Sequence, residues 1–382
     1  MLPHPVTAEA LADATTESDP DSLAAAERMR RRHPPEVAAA ALEQVTLRRR
    51  AVAKFGDRAT AMFCTRDGLE QATRPSVAAH HARRFVRAGV SRVIDLGCGI
   101  GSDAWAFADA GLEVIAVERD PHTAEIARAN LVGRAEVITG DAEQLAEEII
   151  GERDGVFLDP ARRTTSGRLW HTEDFTPRWA FVTELLADGR TVGVKLGPAL
   201  PHREIPVGVE AEWVSDRGET VEVCLWSGPG SVPDSRAALI MPDHRLPADP
   251  GRARLPVSAP GRFLYEPDGA VIRSGAITVL GEQLGGWLLD DQIAYLSADA
   301  YTSTPYADAF EISEVLPYSE KVLRRWVRDQ RIGRLEIKKR GVDGDPAVLR
   351  RRLKPVGERK ATMIISRTQQ GARVLIGRRM PR

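Results

Sequence analysis

The chain has 382 residues, 43% hydrophobic and 28% charged, with a formal net charge of −1, which predicts two or three domains with a real core and excludes wholesale disorder. No apolar run approaches the ~18 residues of a membrane span, the first twenty residues lack a basic-then-apolar leader pattern, and three cysteines build neither a disulfide framework nor a spaced zinc site, so a metal-free protein of the reducing cytoplasm is expected. The charge is uneven: residues 321–382 hold 20 Lys+Arg against 5 Asp+Glu, and a small basic end on an acidic body suits a polyanionic partner.

Residues 1–90 read as a helical region, with the first 30 a candidate for disorder. Pro34 and Pro35 open a run of good helix formers that ends at Phe55 before Gly56. A second helix starts near Pro75–Ser76 and carries His80 and His81. Adjacent helical residues point about 100° apart, so the two histidines cannot easily share a metal and are expected to be structural or surface groups.

From Ser91 the pattern alternates. RVIDLG, LEVIAVERD, AEVITGD, DGVFLDP and TVGVKLG read as strands, with helical segments between them. That order predicts parallel βαβ units. EAEWVSDRGETVEVCLWSG reads as an antiparallel hairpin. Residues 231–260, rich in Pro, Gly and Arg, are the best linker, although RAALIM within them can pair as a strand. Residues 261–309 read as strand, helix, strand. In 310–382 come an amphipathic basic helix, the strand RLEIKKRGV, a short helix after Asp345-Pro346 and a final hairpin.

The first strand ends in Asp95-Leu96-Gly97-Cys98-Gly99-Ile100-Gly101-Ser102. Glycines at such a turn let a ligand approach the backbone. The dinucleotide pattern G-x-G-x-x-G is not met, because Ser102 stands at its last position. A carboxylate at Asp95 repels a pyrophosphate and attracts an ammonium. Glu118, ending the second strand, can accept hydrogen bonds from two ribose hydroxyls. Asp141 and Ala142, after the third, can meet an adenine or cap the next helix. Asp159-Pro160-Ala161-Arg162-Arg163, after the fourth, lies at the same carboxyl edge of the sheet. There Asp159 can orient an acceptor or take its proton, Pro160 fixes the chain direction, and Arg162 and Arg163 can hold a phosphate.

In order, DLGCGIG, AVERD, GDA and LDPAR resemble the class I S-adenosylmethionine (SAM)-dependent methyltransferases, from Asp95 through the hairpin ending near Trp226. The resemblance implies a Rossmann-like α/β sheet of five parallel strands with a terminal antiparallel hairpin, over residues 91–230. It implies SAM as cofactor, with Asp95, Gly97, Gly99 and Gly101 at its methionine end, Glu118 at the ribose, and Asp141 and Ala142 at adenine. Gln71-Ala72-Thr73-Arg74 stands where related RNA methyltransferases close over the cofactor. The Asp159-Pro160-Ala161-Arg162 segment looks like the motif of uracil-5 RNA methyltransferases. Those enzymes need a cysteine after the fifth strand, and Val194-Lys195-Leu196-Gly197-Pro198-Ala199-Leu200 has none. A covalent carbon-5 route is therefore not expected. Nor is there the aromatic residue of exocyclic-amine methyltransferases. Trp170, His171, Phe175 and Trp179 are candidates to replace it, with core packing the expected role of Phe175 and Trp179.

Leu316-Pro317-Tyr318-Ser319, the basic helix after it, and Gly333 through Gly341 resemble the THUMP-like domain of a bacterial methyltransferase family of poorly defined function. The resemblance implies an α+β module at 310–382, a ferredoxin-like neighbour at 261–309, and RNA, chiefly tRNA, as partner. Lys338, Lys339, Arg340, Arg350, Arg351, Arg352 and Lys354 would then contact phosphates. The expected function is methyl transfer to structured RNA, tRNA or rRNA. The alternatives are a small-molecule or protein acceptor, and a non-catalytic RNA-binding protein on a relic SAM fold.

Overall fold

The computed structural model describes residues 2–162 and 175–381. The chain forms two compact units, one of residues 1–211 with 222–234 and one of 212–221 with 235–382. No helix among the described residues is long and apolar enough to cross a membrane.

The first unit opens with α1 (Ala8–Thr15), α2 (Leu23–Arg30), α3 (Pro35–Phe55), α4 (Arg66–Gln71) and α5 (Pro75–Arg87). The expected disorder before residue 30 is not found. Thr7 and Ser22 cap α1 and α2 through their side chains, and Ala10, Ala14, Ala25 and Met29 pack on Ala38, Ala41, Leu42 and Val45 of α3. The apolar face of α1 and α2 is mostly alanine, so its periodicity is faint in sequence although its packing is close. Proline begins α3 and α5 as expected, and Gly56 ends α3 at φ +57°.

The α/β region follows the predicted alternation: β1 (Arg92–Leu96), α6 (Ser102–Asp109), β2 (Glu113–Glu118), α7 (Pro121–Asn130), β3 (Glu136–Thr139), α8 (Ala142–Ile149) and β4 (Gly155–Leu158). The short strands β5 (Ala161–Arg162) and β6 (Phe175–Thr176) pair with each other. Then come α9 (Trp179–Ala187), β7 (Val192–Leu196), and the hairpin of β8 (Glu210–Asp216) and β9 (Glu219–Ser227). The strand order is β3-β2-β1-β4-β7-β9. The first five strands are parallel and β9 runs antiparallel to β7. The order reverses between β1 and β4, and ligands of open α/β sheets lie at such a switch point, beyond the carboxyl ends of the strands. Beneath it, Phe85, Phe107, Phe157 and Trp226 are buried and meet edge-to-face.

The second unit carries β10 (Arg236–Ile240) and β11 (His244–Pro247), so the expected linker at 231–260 contains a strand pair. RAALIM forms the first of the two because four of its apolar residues are buried. After β12 (Phe263–Pro267) come α10 (Gly269–Ser274), α11 (Ile277–Gln283), β13 (Trp287–Asp290) and β14 (Ile293–Ala298). The last segment expected there as one strand is thus a hairpin. The remaining elements are β15 (Ala307–Pro317), α12 (Glu320–Asp329), β16 (Ile332–Arg340), α13 (Pro346–Leu353), β17 (Arg359–Thr368) and β18 (Gly371–Arg379). They join one sheet of order β13-β14-β12-β15-β18-β17-β16. The expected boundary at 309/310 cuts β15, which pairs β12 on one side and β18 on the other. The segments at 261–309 and 310–382 therefore share a sheet.

Candidate active site

The glycine turn is shaped by backbone demands. Gly97, Gly99 and Gly101 have φ of +96°, +55° and +88°, where a side chain is strained. A Cβ on Gly97 would touch the Asp159 carbonyl oxygen at 3.4 Å, whereas one on Gly99 would enter open space. The turn thus closes against the end of β4 and opens beside Gly99. Glu118 braces it: its two carboxylate oxygens accept from the Gly99 amide (3.0 Å) and the Asp120 amide (2.8 Å). Asp141 caps α8 by accepting from the Glu143 amide at 3.0 Å, with Ala142 as the first helical residue. The N-cap role is therefore real, and its second oxygen lies 3.8 Å from Arg119.

Asp95 is 1% exposed, and its Oδ2 has no hydrogen-bond partner. Burial, with Asp103 and Asp159 nearby, pushes its carboxyl well above the usual range. A buried acid with an unmet oxygen beside an open glycine turn is suited to a cationic group, which would restore its charge.

Asp159 faces this crevice at the end of β4, with Pro160 buried behind it. It forms an ion pair with Lys195 of β7. About a third of the Asp159 side chain is exposed and about a tenth of that of Lys195. The Lys195 ammonium also donates to Thr73 Oγ1 (3.1 Å) and to the Gln71 carbonyl (3.3 Å). Burial disfavours its charge, but Asp159, Asp103 and Glu222 outweigh that and raise its pKa above the ordinary value. Burial raises Asp159 as well, with Lys195 opposing.

A chain of bonds leads away from this pair. The Thr73 hydroxyl donates to Asp103 at 2.6 Å, and Ser102 Oγ donates to the Thr73 carbonyl at 2.7 Å. Asp103 takes His81 Nδ1 at 2.9 Å, and His81 Nε2 meets Glu222 at 2.7 Å. His81 is fully buried. Burial works against its charge, yet Glu222 and Asp103 raise its pKa to about 10. The bonds from His81 likewise hold Asp103 below its usual value against the cost of burial. With both ring nitrogens on carboxylates, His81 is an imidazolium strut between α5, α6 and β9.

Sequence reasoning placed the glycine turn, Glu118 and Asp159 together, and the structure does bring them together. It missed Lys195, and of the structural and surface roles left open for His81 the structure shows the structural one, fully buried. The available signal was Lys195 as the one charge within an otherwise apolar strand, in a chain with only 7 lysines. The backbone of Arg162 pairs with Phe175. Phe175 is buried and stacks on Trp179 at 5.8 Å, the packing role expected of both. Arg163, Trp170 and His171 lie outside the described residues.

The basic end is less unified than its sequence suggests. Lys338 pairs with Glu266 at 2.6 Å, Arg340 lies 3.8 Å from the same carboxylate, and Lys339 donates to the Val342 carbonyl. Strand alternation places Lys339 on the opposite face of β16 from Lys338 and Arg340. Arg350, Arg351, Arg352 and Lys354 are exposed, with Arg352 3.6 Å from Glu320. A groove of about 1120 Å³ is lined by Arg350 of that set together with Arg334, Arg359, Lys360, Arg378 and Arg379, and also by Glu311, Glu314 and Glu336.

Residues 93–158 match the methyltransferase domain family, residues 307–379 the THUMP domain-like family, and residues 7–51 a domain of unknown function (DUF8688). An uncharacterised S-adenosylmethionine-dependent methyltransferase of Mycobacterium tuberculosis, found in strains CDC 1551 and H37Rv, is 34% identical over 349 residues, 87% of this chain and 93% of that protein. A crystal structure of a protein from Porphyromonas gingivalis W83, described as a candidate methyltransferase, shares the fold across 98% of both chains, with a TM-score of 0.79 and 24% identity. The identity to the mycobacterial protein extends over most of both chains, and on that ground this chain belongs to the S-adenosylmethionine-dependent methyltransferases.

Proposed function

We propose that this methyltransferase acts on structured RNA, tRNA or rRNA, which its THUMP-like unit docks. The carrying observation is that a SAM-methyltransferase domain and a THUMP domain-like segment share one chain whose last 62 residues hold 20 Lys+Arg against 5 Asp+Glu. The groove adds a second support. Arg334 on β16 and Lys360 on β17 are direct cross-strand partners, and both are exposed. Like charges so placed repel, and a phosphate between them would relieve that repulsion.

In this reading Asp95, Gly97, Gly99 and Gly101 receive the methionine end of SAM, Glu118 the ribose, and Asp141 and Ala142 the adenine. SAM supplies an already activated methyl group. What remains for the protein is to orient the acceptor and accept its proton. Asp159 does this, with Pro160 fixing its direction and Arg162 as the proposed phosphate contact. No covalent cysteine step is involved: Cys64, Cys98 and Cys224 are all buried.

The test is transfer of radiolabelled methyl from SAM to total RNA from a strain lacking the gene, with wild-type RNA as control. Label only in the mutant's RNA, removed by RNase, is the expected result. Label confined to protein or small molecules would assign the other acceptor class. Asp95→Ala should weaken SAM binding at least a hundredfold by calorimetry, because the buried carboxylate with an unmet oxygen beside the glycine turn is lost. Unchanged affinity would remove Asp95 from the cofactor site. Reversing Arg334 and Lys360 together to Glu should weaken RNA binding at least tenfold and reduce its salt slope by about 2, one for each phosphate contact. An unaltered slope would place the RNA elsewhere.

A further inference from the structure

We propose that Lys195 is a positioning residue of the transfer reaction, fixing the Asp159 carboxylate as proton acceptor for an N–H or O–H substrate group, with Thr73 as its anchor. The inference rests on the assignment of Asp159 made above.

The geometry is asymmetric in an informative way. Asp159 is partly exposed at the crevice, whereas Lys195 lies behind it, nine-tenths buried. The three ammonium hydrogens have three acceptors: Asp159, Thr73 Oγ1 and the Gln71 carbonyl. An ammonium so surrounded has no hydrogen left for a substrate and no lone pair to act as a base. Its consequence must therefore pass through Asp159.

The anchor is itself held. The Thr73 hydroxyl donates to Asp103 and so can offer only its lone pairs to Lys195. Asp103 is locked in turn by His81, and His81 by Glu222. Gln71 ends α4, and Thr73 lies in the segment joining α4 to α5. The helical region before β1 thus supplies two of the three contacts that orient Lys195, and the site is incomplete without it.

A carboxylate held this way suits an acceptor that must shed a proton. The acceptor's lone pair forms the bond to the methyl carbon, and the electron pair of the C–S bond remains on sulfur, leaving S-adenosylhomocysteine. The acceptor's proton passes to the Asp159 carboxylate and from there to water. Among the described residues, the charged groups facing Asp159 include Lys195 from β7, Asp103 from α6, Glu222 from β9 and Asp95 from β1. Lys195 is the cation of that set, and its charge favours the ionised form of Asp159.

The experiment compares wild type with Lys195→Met and Thr73→Val in three readouts. S-adenosylhomocysteine binding by calorimetry should stay within about threefold in Lys195→Met, since Lys195 is not among the proposed cofactor contacts. The Asp159 midpoint, followed by carbon-13 NMR of labelled aspartate and assigned with Asp159→Asn, should rise by at least one pH unit in Lys195→Met and less in Thr73→Val. With the acceptor found by radiolabelling, kcat should fall at least thirtyfold in Lys195→Met, KM for SAM should hold, and the acid limb of the kcat profile should move up with the carboxyl midpoint. An unmoved midpoint overturns the inference without touching the assignment of RNA as acceptor. A midpoint that moves while the acid limb stays leaves Lys195 outside the reaction and overturns it equally. Lost S-adenosylhomocysteine binding in both variants would make Lys195 and Thr73 cofactor residues instead. Normal turnover in Asp159→Asn would instead overturn the parent assignment of Asp159.

Discussion

Asp159→Ala is expected to lower methyl transfer at least a hundredfold while SAM still binds with near wild-type affinity. The side chain sits at the end of β4, next to the glycine turn but making no part of it, and about a third of it reaches the crevice. Removing it takes away the group that accepts a proton, an effect typically worth 10²–10⁴ in rate. It also leaves the Lys195 ammonium with one acceptor fewer. Asp159→Asn separates these consequences, because an amide keeps an acceptor oxygen for Lys195 but cannot take a proton. Both variants should lose turnover, and Asn should lose less stability. Turnover within threefold of wild type in either would remove Asp159 from the chemistry.

His81→Leu is expected to cost about 3–5 kcal/mol of stability by chemical denaturation, the range seen when one member of a buried ion pair is removed. His81 is fully buried and is the shared partner of Asp103 and Glu222. Without it two buried carboxylates lose their counter-charge, and Phe157 and Trp226 lose the ring packed against them at 5.0 and 6.0 Å. The pH dependence follows from the signs. The folded midpoint of His81 is raised to about 10, above an unfolded value near 6.5. Its contribution is therefore complete below about pH 6.5 and is lost as pH rises toward 10. Asp103, held below its ordinary value, behaves oppositely, and its contribution is lost as pH falls through its folded midpoint. The strut is strongest between these limits. A variant as stable as wild type at pH 6, or one whose stability difference does not shrink between pH 7 and 10, would contradict the imidazolium assignment.

The legible parts of this molecule are those where chemistry repeats locally. Pro35 and Gly56 bracket α3 because each imposes its own backbone angles, with no need of a tertiary partner. The βαβ rhythm shows because strands buried on both faces must be apolar throughout, as Val156, Phe157 and Leu158 of β4 are. The glycine turn is legible for a related reason: positive φ leaves few residue choices, so Gly97, Gly99 and Gly101 announce the turn before it is seen. From these, a methyltransferase sheet and the carboxyl-edge position of Asp159 follow directly.

What the sequence by itself determined, then, is the order of elements, the ligand edge of the sheet and the residue types at that edge. Tertiary structure alone decided which distant groups meet there. Nothing between residues 73 and 222 marks Thr73, His81, Asp103, Lys195 and Glu222 as one bonded series, since they lie on separate elements. A strand order that reverses at β1 and β4 brings those elements side by side. The same limit explains the basic end. A run such as Lys338-Lys339-Arg340 reads as one patch along the chain, but a strand sends alternate side chains to opposite faces, and Glu266, 72 residues earlier, claims Lys338. Arg334 and Lys360, 26 residues apart in sequence, become direct neighbours through the pairing of β16 with β17. Local backbone preference is carried by single residues and short repeats, whereas electrostatic partnership depends on distances that only the folded chain sets.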